Sequence, residues 1–360
     1  AGGSLTNETP LRLCSNLTNQ EGAYINSSNK AYLYLTGLVS FIGPGGQSEI
    51  YFKGNVHFVG GITNETNHGL CFRMAGGNNW IEGKPMRLTK TFQQDYPSVL
   101  NIAVTNNYWE QLYPMKATIR CHCDYALAVG RPIYFGAVNS VFYSTPMAAI
   151  DLNGYNQSVS RIYPAWTGYE TVGGHNWAAT YGLVTSATPA TLEITGTETT
   201  IFPVKFEGAA GLHMNGTGSF TITNKLSNTT GELKVSKGTV RFARDAGWTA
   251  VTNVVLAGGT LAVAPGAGAK AFGSAQDVSA ALLTVASTNS PTLSIAAGER
   301  PSVDMLAVVE EGGKVKWKDP GVYGGPDAGL SASRTVDWIS GTGTLRVRHG
   351  ISGGTMLIIR

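Results

Sequence analysis

Residues 216–264 read GTGSFTITNKLSNTTGELKVSKGTVRFARDAGWTAVTNVVLAGGTLAVA. Short alternating pieces recur in this stretch, carried by Phe220 and Ile222, Leu233 and Val235, Val240 and Phe242, and Leu261 and Val263. Each is closed by Gly, Asn, Ser or Thr, the residues that let a chain turn sharply. None has the 3.6-residue spacing of an amphipathic helix. A strand so short, apolar on one face only, needs a like neighbour above and below it. Repetition at short intervals therefore predicts a coiled wall of stacked β-strands.

Composition agrees. The 360 residues include 46 glycines, and only 14% are charged, well under the usual quarter. A net charge of +3 with no basic cluster argues against a nucleic-acid partner. Lys314, Lys316 and Lys318 alternate with Val315 and Trp317, as on a strand with one wet face. No apolar run is long enough to span a bilayer. Low charge, abundant Asn, Ser, Thr and Gly, and four cysteines point to a secreted or surface-attached protein.

Four regions are expected. Residues 1–30 are polar and Asn-rich and read as an N-terminal cap, or an arm reaching another subunit. Residues 31–163 form an aromatic-rich β region, with TFQQDYPS (91–98) and NNYWEQLYPM (106–115) as excursions outside the coil. Residues 164–185, rich in Trp and Gly, make a connection, and 186–360 form the repeat-type solenoid.

Residues 149–162, AIDLNGYNQSVSRI, resemble the strand-turn-strand unit of the passenger-associated repeats of bacterial autotransporters. GTGSFTITN with LSNTTGELKVSKGTVRF resembles the same family's Gly-Thr-Gly strand, Asn-Thr-Gly turn and Gly-Thr-Val strand, and AGGTLAVA and SGTGTLRVR repeat its last element. In such a unit Gly and Asn take the corners of positive φ. The resemblance implies an all-β chain folded as a right-handed parallel β-helix, exported by a bacterium. Residues 1–148 form either the same coil or a distinct β-rich half. No ten-strand alternating pattern follows the closing TMLIIR, so the expectation is a passenger-like protein lacking the membrane barrel.

Chemistry-bearing residues are sparse. In Cys121-His122-Cys123 a strand would place both sulfurs on one face and the imidazole on the other, so no metal is expected there. The four cysteines, Cys14, Cys71, Cys121 and Cys123, are disulfide candidates: Cys71 pairs with Cys121 or Cys123 across stacked coils, and Cys14 takes the other or pins the N-terminal segment. β-Helix lyases and hydrolases use Asp pairs, or Lys and Arg beside Asp. The nearest groups are Asp124 with Arg120 and Arg131, and Asp151 with Arg161, although Asp151 suits a backbone cap better. No catalytic residue is assigned and no cofactor is expected. Trp80, Trp109, Trp166 and Trp177 are candidate glycan-contact aromatics. Of seven Asn-x-Ser/Thr sites, Asn7, Asn16, Asn26 and Asn64 are the candidates for glycosylation, whereas Asn156 and Asn228 serve repeat turns.

Met356, Leu357, Ile358 and Ile359 form an apolar strand-prone segment that calls for a neighbour's edge. The expected function is that of an exported bacterial structural protein, polymerising with copies of itself into an extracellular fibre or surface layer. The alternative is a secreted β-helix that binds or cleaves polysaccharide.

Overall fold

The computed structural model describes residues 4–14, 23–26, 32–42, 46–53, 55–64, 68–75, 78–95, 98–114, 117–135, 138–139, 148–164, 170–172, 175–178, 182–201, 204–223, 226, 228–248, 250–268, 271–272 and 282–350. They form a parallel β-solenoid in two units, Ala1–Leu192 and Glu193–Arg360.

The first unit has three walls. One stacks Ser4–Asn7, Tyr32–Leu35, Asn55–Phe58, Asn78–Ile81, Val99–Ile102, Thr118–Cys121 and Ala149–Asp151, all parallel. The second stacks Leu11–Cys14, Val39–Ile42, Ile62–Asn64 and Met86–Arg87. The third runs from Ala23–Asn26 through Gly46–Lys53, His68–Ala75, Thr91–Asp95, Gln111–Pro114 and Ile133–Phe135 to Ile162–Pro164. Of the two alternatives left open for residues 1–148, the parallel stacking favours a coil, and Ser4–Asn7, Leu11–Cys14 and Ala23–Asn26 supply one strand to each wall.

The described parts of the segments 91–98 and 106–115 are not outer excursions. Thr91–Asp95 and Gln111–Pro114 belong to the third wall, where Phe92 and Leu112 pair in register and are buried, with Trp109 buried just before the second strand. Within 164–185, Glu170–Val172 and His175–Ala178 make an antiparallel hairpin, and the latter also pairs with Val138–Asn139.

The second unit repeats the plan with the stretch that opened the sequence. Leu212, Leu233, Val254, Leu283 and Leu306 stand in one buried column, and Met214, Val235, Leu256, Val285 and Val308 in the next. On the adjoining wall Phe220, Val240, Leu261, Leu293 and Ile339 do the same. Each buried side chain of this size contributes about 1.5–3 kcal/mol, so the columns are the dominant stabilising term. The first of these walls ends on an antiparallel strand, Val315–Trp317, paired with Met305–Val309.

Rungs stacked at roughly 4.8 Å leave little room at the corners. A Cβ on Gly60 would sit 2.2 Å from the Gly37 carbonyl oxygen one rung below. Gly238 has φ of +58° and its Cβ would lie 2.3 Å from Gly218 O. Gly298, at +78°, has nothing within 4 Å. Gly298→Ala is therefore expected to cost only the left-handed backbone penalty of about 1–2 kcal/mol, whereas Gly238→Ala adds a backbone clash and costs about 3 kcal/mol or more. Urea denaturation followed by circular dichroism checks this; equal losses would show that corner packing does not limit the fold.

Candidate functional site

The most elaborate side-chain chemistry lies on the outer face of the first unit. In-register stacking places Tyr34, His57 and Trp80 over one another on consecutive rungs. Ring centroids are 4.6 Å apart for Tyr34 and His57 and 6.0 Å for His57 and Trp80, the latter pair nearly parallel at 13°. His122 lies 4.6 Å from Trp80 on its far side, and its Nε2 donates to Asn101 Oδ1 at 2.9 Å. His57 Nδ1 donates to Glu82 Oε1 at 2.7 Å. On the third wall Tyr113, Tyr134 and Tyr163 stack at 4.7 and 5.4 Å, and the Arg161 guanidinium covers Tyr163.

These ladders engage several of the aromatics that could otherwise meet a glycan. A sugar stacks on a free ring face. Trp80 makes ring contacts with both His57 and His122, and the Tyr108 face carries Arg131 at 4.6 Å. Trp109 is 1% exposed, packed on Phe92 inside the coil, and is corrected from a surface platform to a core residue. Trp166 and the Trp177 side chain lie outside the described residues.

The candidate acid–base groups are parted by the same register. Arg120 Nε donates to Asp151 Oδ2 at 2.8 Å across adjacent rungs, while Asp151 Oδ1 accepts from Asn153 N, the backbone cap expected of it. Asp124 Oδ1 accepts from Asn156 N at 2.7 Å. Arg131 donates to the Tyr108 hydroxyl and Arg161 to that of Tyr134. Neither Asp124 with Arg120 and Arg131, nor Asp151 with Arg161, forms a bonded group. The turn that follows is left-handed: Asn153 and Gly154 have φ of +51° and +87°. Asn156 Oδ1 also accepts from Thr191 N, and buried Gln157 ties Leu127 N to Cys123 O.

One constellation was not legible in the sequence. In the second unit His213 Nε2 lies 2.8 Å from Ser236 Oγ, and Nδ1 lies 3.5 Å from Glu193 Oε1. The three residues are 43 positions apart end to end, and only the rung spacing joins them. The order Glu–His–Ser is that of a nucleophile relay. Its neighbours argue against acyl transfer: the N–H groups of Ser236 and Lys237 both donate to Met214 O, so neither is free to receive an oxyanion.

Cys121 is buried and Cys123 half-buried, and both are free, so neither joins the disulfide expected for it. Cys121 belongs to the first wall and Cys71 to the third. Burial holds the Cys121 thiol well above its usual range; burial and then Asp124 raise Cys123. Both are neutral thiols at ordinary pH. The side chains of Cys14 and Cys71 are outside the described residues, as are those of Asn16 and Asn26 and the segment Met356, Leu357, Ile358 and Ile359. Asn7 is partly exposed. Asn64 is withdrawn as a glycosylation candidate: it is 7% exposed and its amide bonds the backbone and hydroxyl of Thr89. Among the described residues no three His, Cys, Asp or Glu side chains are grouped to hold a metal, and no helix is long and apolar enough to cross a membrane.

Comparison with protein-family models, with curated proteins and with solved structures yields no match.

Burial, and then Arg120, lower the pKa of His122; burial, and then Lys234, lower that of His213 against an opposing pull from Glu193. A histidine harder to protonate folded than unfolded contributes stability that is present above its ordinary value near 6.5 and lost as pH falls. The melting midpoint is expected to drop between pH 7 and 5, and the double variant His122→Gln/His213→Gln to show a shallower drop. An unchanged slope in that variant would assign the pH dependence elsewhere.

Proposed function

We propose that the protein is an exported structural component of a bacterial surface, associating with copies of itself, and that its outer face joins rungs to one another without turning over a substrate. One observation carries this reading. The charged and aromatic side chains that a carbohydrate-active solenoid would present are engaged between rungs: Arg120 with Asp151, Asp124 with Asn156, Arg131 with Tyr108, and Arg161 with Tyr134 and Tyr163. Groups fixed in this way brace one rung against the next. Export and bacterial origin rest on the composition and on the resemblance of residues 149–162 and 216–264 to passenger-associated repeats.

Strand edges provide the means of association. Ser4–Asn7, Leu11–Cys14 and Ala23–Asn26 are each paired on one side only among the described residues, and all three run parallel to the rung beside them. Such edges accept a further strand with unchanged geometry. The Val315–Trp317 edge is unsuited to this, since it is antiparallel and lies in the lysine alternation 314, 316 and 318.

Light scattering after size exclusion, with electron microscopy of the same fractions, tests the proposal. Particles are expected to grow with concentration into assemblies longer than one chain. A monodisperse monomer at every concentration would overturn it.

A further inference from the structure

We infer that the second unit carries a binding site for a neutral hexopyranose in a cleft between residues 287–292 and 335–338. This goes beyond the assembly role and uses none of the aromatics that the ladders occupy.

The cleft exists because two neighbouring rungs meet late. Thr292–Ile295 and Ile339–Ser340 pair in parallel from Leu293 and Ile339 onward, with Leu293 N donating to Trp338 O at 2.7 Å. Before that point the two segments diverge, one through a 3₁₀ turn at Ser287–Asn289 and the other through Thr335, Val336 and Asp337. The opening encloses about 580 Å³, within the roughly 300–1,000 Å³ of small-molecule sites. One side is anchored: Asn289 Nδ2 donates to Ala257 O, and Ser290 is held at φ of +49°.

Its lining selects the ligand. Trp338 is half-buried and, unlike Trp80, makes no stacking contact with another described aromatic or cationic side chain, so its indole is available to the C–H face of a sugar. Beside it, the exposed Asp337 carboxylate has no hydrogen bond or ion pair among the described residues. A carboxylate accepts from two vicinal hydroxyls at once. Ser287 and Thr335 donate to the backbone oxygens of Val309 and Ser331, which leaves their own oxygens as acceptors. Two other ligand classes fit less well. A quaternary ammonium is recognised by a cage of several aromatic faces, and here there is one. An acidic sugar or phosphate would meet Asp337, the sole charged residue among the described lining, with like sign.

Saturation-transfer NMR on the full chain tests this, with a panel of neutral methyl hexopyranosides and neutral oligosaccharides, and with glucuronate and choline as contrasts. Transfer is expected to at least one neutral sugar, abolished by Trp338→Ala and weakened at least tenfold by Asp337→Ala. The second change is at an exposed position and keeps the test valid if the first disturbs folding, which circular dichroism reports. No transfer to any neutral sugar at millimolar concentration, transfer indifferent to both variants, or a preference for glucuronate or choline would each overturn the assignment.

Discussion

The constraint on which everything else depends is the hydrogen-bonded register between successive rungs. A parallel ladder fixes each strand directly over its predecessor, so whatever a position carries on one rung is repeated or answered on the next. Inside, this yields columns such as Leu212, Leu233, Val254, Leu283 and Leu306, whose three inner members are covered above and below by their like. At the corners it forbids a Cβ where two backbones meet, hence Gly37 beneath Gly60 and Gly218 beneath Gly238. Core and corner are two consequences of one spacing.

The outer face obeys the same spacing with different chemistry. Side chains separated by one rung are close enough for ring stacking and ion pairing, and long enough polar residues bridge directly. Arg120 and Asp151, His57 and Glu82, and Tyr113 and Tyr134 are all products of this geometry. A partly exposed ion pair such as Arg120 with Asp151 is worth only about 0–1 kcal/mol. Its consequence is positional: it holds the side chains in a column and takes them out of the pool of groups that could act on a ligand. The Glu193–His213–Ser236 array is the clearest case, a catalytic order of residue types in a setting whose nearby amides are committed to the sheet.

This explains which parts of the molecule were legible in the sequence. Alternation in Phe220, Ile222, Val240 and Phe242 is local, so strand-length units and their stacking could be read directly, as could the left-handed corner at Asn153 and Gly154. Identity of face is not local. Trp109 lies in a segment whose polar neighbours Asn106, Asn107 and Glu110 suggested an outer loop, yet Asn107 is itself buried, bonding Met86 N and the carbonyls of Val104 and Ala126. A buried amide that satisfies a corner looks the same in sequence as a solvated one. Asn64 misleads for the same reason. Contacts such as His213 with Ser236 depend on coil length, which varies from rung to rung and cannot be counted from composition.

The two kinds of strand edge bear on how such a protein meets its surroundings. A parallel edge repeats the geometry of the rung beside it, and a copy can extend it without distortion. An antiparallel hairpin strand reverses the bonding pattern, and its lysines leave water only at a cost. Val315–Trp317 closes its wall in this second way, with Lys316 bound to Glu310 across the hairpin. Residues 310–350 depart in part from the rung pattern: Gly321–Gly324 and Thr344–Val347 pair antiparallel, while Ile339–Ser340 still stacks in parallel on Thr292–Ile295. It is where this departure meets the regular wall, at Leu293 and Ile339, that the rungs separate enough to admit a ligand. A perfectly periodic solenoid uses its side chains on itself; an opening for another molecule requires a place where the period fails.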